Sequence, residues 1–153
     1  MLAEMEDLRE FKIFAELDDR ELQTIAKIAK TEELGAGARL TEAGATATNL
    51  YLVRQGRVNI YAHGPHGRDI PVDHVGPGDV VGWSTVTGPY LYTASSETAE
   101  RSALVVINGN KLRQVFETNN HIGYRVLKGI GSVVAHRLAA IEAKFAAQGG
   151  ESA

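Results

Sequence analysis

The middle of this chain is punctuated by glycine and proline. Ten of the sixteen glycines and all four prolines lie between Gly35 and Pro89. Between them stand short β-prone runs: "ARLTEAG", "NLYLVRQG", "RVNIYAHG" and "DIPVDHVG". Glycine reaches the positive φ that tight turns need, and proline disrupts the interior of helices and central strands. Long helices are therefore excluded from this zone. Short strands at regular spacing with turn signals predict a sandwich, barrel or jelly roll. The segment "HGPHG", His63 to Gly67, predicts the turn of a hairpin.

On both sides the apolar period changes. In residues 1 to about 33, Leu8, Phe11, Phe14, Leu17, Leu22, Ile25, Ile28 and Ala29 recur at helical spacing. Asp18 with Glu21 three residues on predicts a capping box. After residue 107 the helical period returns. Asn108 or Asn110 is placed to cap "KLRQVFETN", and a final helix is predicted from about His121 to Gln148. Along it Leu127, Ile130, Val134, Leu138, Ile141 and Phe145 are spaced 3, 4, 4, 3, 4, the seam spacing of a coiled coil. The stripe predicts a homodimer through this helix; packing on the chain's own β zone is the alternative. Gly129 and Gly131 interrupt it.

Composition narrows the chemistry. With 153 residues, 44% hydrophobic and 23% charged, the chain fits one globular domain. A net charge of −3 offers no basic footprint for nucleic acid or an acidic membrane. There is no cysteine, which excludes disulfides, thiolate metal sites and cysteine nucleophiles. The start, "MLAEMEDLRE", lacks the basic and apolar regions of a secretory signal, and no apolar run approaches membrane-span length. A cytoplasmic location is expected. No Walker loop, dinucleotide fingerprint or metalloprotease helix is present, and no nucleophile elbow surrounds Ser95 or Ser96. The chain is not expected to be an enzyme, and no catalytic residue is assigned.

Helix pair, glycine-punctuated β zone, loop and long final helix together resemble the cyclic-nucleotide-binding domain of catabolite-activator-type regulators and kinase regulatory subunits. The resemblance covers roughly residues 8 to 145. It rests on "LGAGARLTEAGATATNLYLVRQGRVNIY", with Gly37, Gly44 and Gly56 at the turns, and on "VGPGDVVG" leading into the phosphate-binding cassette. It implies an α+β fold: a double-stranded β-helix, or jelly roll, over 34–107, flanked by N-terminal helices over 1–33 and C-terminal helices over 108–148. The single domain then spans 1–148, with 149–153 as a disordered tail.

In the family the cassette opens Gly-Glu and closes Arg-Ser/Thr-Ala, the Glu meeting the ribose and the Arg the cyclic phosphate. Here Gly82, Thr93 and Ala94 match, but Trp83 stands for the Glu and Tyr92 for the Arg. Backbone amides after Gly82 and the hydroxyls of Ser84, Thr85 and Thr93 offset only part of the cost of burying a phosphate without a cation. Gly82, Trp83, Ser84, Thr85, Tyr92, Thr93 and Ala94 are thus the candidate ligand site. Trp83 either lines a pocket or plugs it, and Tyr92 either stacks on a ligand or packs beneath the cassette. Arg68 and Arg101 are candidates to replace the missing cation.

No metal site is expected from His63, His66 and His74, whose spacing does not suit one. His121 is a candidate haem ligand and His136 a pH-sensitive group; solvated histidines are the alternative. Family transcription factors continue into a helix-turn-helix after the long helix. This chain stops about eight residues past Phe145, so no DNA-binding domain is expected. The leading expectation is a stand-alone regulatory domain that senses a small effector other than cyclic AMP or cyclic GMP. The alternatives are a cyclic-nucleotide binder with an atypical cassette, and a ligand-free module for dimerisation or docking of a protein partner.

Overall fold

A computed structural model describes residues 1–149 fully and, of 150–152, the helical backbone alone. The tail expected at 149–153 therefore lies largely outside the fully described residues. The chain orders as α1 (Met5–Leu8), α2 (Asp19–Ala26), eight strands, α3 (Gly109–Thr118) and α4 (Asn120–Ser152). The strands are β1 (Ala29–Leu34), β2 (Arg39–Thr41), β3 (Asn49–Gln55), β4 (Val58–His63), β5 (Asp69–Val75), β6 (Val80–Val81), β7 (Ser95–Thr98) and β8 (Ser102–Asn108). They form two four-stranded sheets, ordered β1-β8-β3-β6 and β2-β7-β4-β5. All the pairings are antiparallel. This is the α+β jelly roll with flanking helices.

The alternation of side chains along β8 explains the layering. Leu104 and Val106 point between the sheets and pack with Leu40, Val53, Val58, Ile60, Val75 and Val81. Val105 and Ile107 point the other way, onto the helices, with Leu50, Leu52 and Val80. A strand buried on both faces must read as a continuous apolar run, and "ALVVI" does.

Two boundaries differ from the sequence expectation. The β zone begins at Ala29, because residues 29–34 pair with β8 in register from Ala29↔Ile107 to Leu34↔Ser102. This edge strand carries Lys30, Glu32 and Glu33 on its exposed positions, a composition that reads as helix. Before α2, regular α-helix is confined to α1, and Lys12–Phe14 forms a 3₁₀ turn. Leu8, Phe11 and Phe14 are nonetheless buried in the helical-side core. The caps follow the expectation. The Asp18 carboxylate accepts from the Glu21 amide at 2.8 Å, and the Glu21 carboxylate accepts from the Asp18 amide at 3.1 Å. Asn108, not Asn110, caps α3 by accepting from the Lys111 amide at 3.0 Å.

α4 is fixed to the rest of the domain along its first half. Ile122, Val126 and Ile130 are buried in the helical-side core. Arg125 donates to the Glu16 carbonyl at 2.8 Å and to the Glu21 carboxylate at 3.1 Å. A Cβ built on Gly129 would lie 2.7 Å from the Ile13 Cα, so glycine is what lets α4 touch the 12–14 turn. With 33 residues, α4 spans roughly 50 Å at 1.5 Å per residue.

Candidate functional site

The cassette loop leaves β6 at Gly82. This residue has a φ of 87°, in the left-handed region, and precedes a 3₁₀ turn over Trp83–Thr85. A Cβ here would lie 2.8 Å from the Asn49 carbonyl oxygen and 3.2 Å from the Tyr92 ring. The loop is thus pressed against β3, and only glycine fits at its entrance.

Trp83 and Tyr92, expected at the charged positions of the family pattern, are both engaged. The Tyr92 hydroxyl accepts from the Asn49 amide and donates to the Asn49 carbonyl. Tyr92 is buried and packs beneath the loop. Trp83 is half-buried against the helical-side core, and its outer ring face is covered by Arg137 of α4, whose guanidinium carbon lies 4.8 Å from the ring centroid. Arg137 also donates to the Val80 carbonyl at 2.8 Å. Its guanidinium nitrogen Nε lies 3.9 Å from the Asp73 carboxylate, to which Lys144 also extends at 3.9 Å. Burial pulls Arg137 below the ordinary guanidinium value, while Asp79 and Asp73 oppose the shift.

A second arginine holds the same loop from α3. Arg113 donates to the Thr85 carbonyl and stacks over the Tyr90 ring at 4.5 Å. The helices therefore hold the loop at two points, the Val80 carbonyl of β6 just before it and the Thr85 carbonyl within it.

Several hydroxyls in the loop and in β7, which follows it, are committed to the fold. Thr85 donates to the Gly82 carbonyl at 3.0 Å within the turn. Ser95 accepts from the Ala43 amide at 2.9 Å, and Ser96 shares a 2.7 Å bond with Thr41. Ser84 and Thr93 have no hydrogen-bonded side chain among the described residues. Ser84 is buried, Thr93 is exposed and Ala94 is half-buried. The cleft bordered by Gly82, Trp83, Ser84, Tyr92, Thr93 and Ala94 measures about 30 Å³. That is the space of one or two waters, far below the several hundred Å³ of an ordinary ligand pocket.

Six of the seven expected site residues thus border one cleft; Thr85 does not, because it is buried with its hydroxyl on the Gly82 carbonyl, and the arginine beside the cleft is not one of the two expected. Arg101 pairs with Glu33 at 2.8 Å on the exposed edge of β1 and β8. Arg68 is exposed at the β4–β5 hairpin, where His63 to Gly67 makes the expected turn. Neither borders the cleft; Arg137 does. Sequence reasoning missed Arg137 because it is distant in the chain. The available signal was its position three residues after Val134, on the side of α4 that faces the roll.

The expected seam on α4 divides. Ile130 is buried in the domain's own core and Val134 packs against it, since this stretch of α4 lies on the 12–14 turn. Leu127, Leu138, Ile141 and Phe145 are exposed, with Leu138 at 54% and Phe145 at 78%. The histidines do not converge. His63 and His66 lie in the hairpin, His121 is exposed near the start of α4, and His74 and His136 border a groove beside α4. Among the described residues no group of three or more potential metal ligands forms, and no helix is long and apolar enough to cross a membrane.

The sequence profile of the cyclic nucleotide-binding domain matches residues 31–119. The chain belongs to the cyclic nucleotide-binding domain family. Among solved structures, a protein from Geobacter metallireducens GS-15 described as cyclic nucleotide-binding is 31% identical, with a TM-score of 0.78. That alignment covers 87% of this chain and 96% of the other. The N-terminal domain of a transcriptional regulator from Streptomyces coelicolor A3(2) is 25% identical at a TM-score of 0.67, covering 88% and 93%. The sensor domain of the transcriptional regulator DNR from Pseudomonas aeruginosa shares the fold at 18% identity and a TM-score of 0.69, covering 88% and 91%. No curated protein shows significant sequence similarity to the chain. Within a cyclic nucleotide-binding domain, then, the loop expected to be the cassette opens on a left-handed glycine and carries the aromatic residues Trp83 and Tyr92.

Proposed function

We propose that this cyclic nucleotide-binding domain is a regulatory sensor for a small ligand other than cyclic AMP or cyclic GMP, with α4 as its output in a homodimer. The observation that carries the reading is the Tyr92 hydroxyl, closed on both backbone groups of Asn49 where a cation would meet a cyclic phosphate. A phosphodiester at that position would meet a phenol already satisfied by backbone, with loss of the charge-assisted bonds such a group needs. The exposed Leu127, Leu138, Ile141 and Phe145 support α4 as the face that a second copy covers. Arg137 supports the coupling, since it is the point where α4 grips the loop. The reading needs neither haem nor metal.

One observation favours a second reading, a docking module without ligand: the cleft holds only about 30 Å³ as it stands. Native mass spectrometry of the purified protein separates the two. A sensor is expected to carry, or acquire from a cell extract, a discrete added mass on the dimer. Dimer without added mass under both conditions favours the docking module, and a monomer removes the homodimer from either reading.

A further inference from the structure

Two openings meet at Arg137. One is the cassette cleft of about 30 Å³. The other is a groove of about 970 Å³ between α4, the 10–16 segment and the turn from Asp73 to Asp79. Among the described residues Arg137 alone lines both. Its side chain, 10% exposed, is therefore the partition between a space too small for a ligand and one large enough.

The partition carries unused binding capacity. A guanidinium has five N–H donors, and Arg137 has one hydrogen bond, to Val80. Its contact with Asp73, at 3.9 Å, is too long to be a second. Ser84 borders the same cleft, is only 5% exposed, and has a hydroxyl without a hydrogen-bond partner among the described residues. Among the described residues no side-chain nitrogen or oxygen that lacks a partner is fully buried, so these free donors reach open space. Spare guanidinium donors beside a free hydroxyl, walled by Trp83, Ile60 and Ala94, suit an oxyanion attached to an apolar body.

We propose that Arg137 and Ser84 form an oxyanion site, entered from the 970 Å³ groove, that takes an organic carboxylate or phosphate with its apolar part on Trp83. The proposal rests on reading the cassette cleft as a ligand site, and it names the ligand class. The anion competes with Asp73 and the Val80 carbonyl for the guanidinium. Arg137 belongs to α4, so that exchange shifts the helix against the roll and joins the two openings.

Trp83 is the sole tryptophan, which makes it a built-in reporter. Its fluorescence is quenched in parallel by iodide and by caesium, each quenching constant being taken relative to that quencher's constant on free N-acetyltryptophanamide. A chain of net charge −3 should on average favour caesium. The site instead predicts an iodide quenching constant above the caesium constant by about twofold or more, from the local positive potential. Arg137→Gln should abolish that excess and Arg137→Lys retain most of it. Asp73→Asn, which removes the competing carboxylate, should raise it. Inorganic phosphate or acetate should protect Trp83 from iodide, and whichever does so identifies the oxyanion. Circular dichroism checks that each variant is folded; if Arg137→Gln is not, Asp73→Asn and the wild-type competition carry the test. Caesium quenching as strong as iodide, no increase in Asp73→Asn, or no protection by either anion overturns the proposal. Quenching reads charge at Trp83 whatever the natural ligand is, so its failure is distinct from failure of the sensor reading, which native mass spectrometry reports.

Discussion

The Tyr92 hydroxyl meets the backbone of Asn49 twice, accepting from its amide at 2.9 Å and donating to its carbonyl at 2.7 Å. One phenol thereby satisfies both polar groups on the free side of Asn49, at the start of β3, and ties the far end of the cassette loop to the sheet. The residue expected at the family's cation position is here a strut. Tyr92→Phe keeps the ring and removes both bonds. Leaving a part-buried donor and acceptor unpaired should cost about 1–3 kcal/mol. The expected result is a lower denaturation midpoint with an unchanged denaturant slope; an unchanged midpoint would deny the strut.

Gly129 is expected to be as restrictive as any core residue. An alanine Cβ there would lie 2.7 Å from the Ile13 Cα and 3.0 Å from its carbonyl oxygen, both backbone atoms that cannot swing aside. Helix propensity alone would favour alanine, by roughly 1 kcal/mol. Overpacking works against it, at about 1–3 kcal/mol. Gly129→Ala should therefore destabilise, whereas Gly131→Ala, with nothing within 4 Å, should stabilise. Thermal melts of the two variants that shift in the same direction would contradict this account of how α4 seats.

The exposed face of α4 gives a prediction about assembly. Leu138 is 54% exposed in one copy and would be covered in a homodimer. Sedimentation equilibrium at micromolar concentration is expected to give about twice 16.5 kDa. Leu138→Glu should shift the equilibrium to monomer by burying a charge in the seam. Ile130→Glu should unfold the protein instead, since Ile130 is already in the core.

An acid-sensitive contact lies at the opposite face. Arg39 on β2 reaches Asp69 at 2.9 Å, Glu42 at 2.9 Å and Glu97 at 3.4 Å. The bond from Arg39 holds the Asp69 carboxyl below its ordinary value of 3.8. A depressed carboxylate contributes stability above its unfolded pKa and loses it as pH falls through the folded one. The Asp69→Asn variant should therefore be less stable than wild type at neutral pH, with the difference closing below about pH 4. The effect should be small and screened by salt, because the group is exposed. A difference that persists undiminished at pH 2 would contradict the assignment.

Much of the fold was legible in the sequence because local rules and tertiary packing agree there. The Asp18–Glu21 capping box, the Asn108 cap and the hairpin at His63–Gly67 each depend on residues adjacent in the chain. Strand β1 was not legible, because its partner β8 is distant and its own "AKTEEL" favours helix. In the candidate site, the turn at Gly82 was legible, because a left-handed φ at the loop entrance calls for glycine. The destinations of the site's hydroxyls were not: Ser95 and Ser96 are used by Ala43 and Thr41, on a segment no local pattern connects to them. Arg137 was hidden for the same reason. Its role depends on where α4 lies, which the Gly129 contact with Ile13 decides.

The central claim is that this cassette does not hold a cyclic phosphate in the family's way, and isothermal titration with cyclic AMP and cyclic GMP tests it most directly. Loss of a buried charge-assisted bond forfeits roughly 2–5 kcal/mol. At about 1.4 kcal/mol per tenfold, a micromolar site would weaken to roughly tenths of millimolar or beyond. The expected result is no resolvable binding heat at micromolar concentrations of either nucleotide. A micromolar dissociation constant for either one, with one nucleotide per chain, would contradict the account.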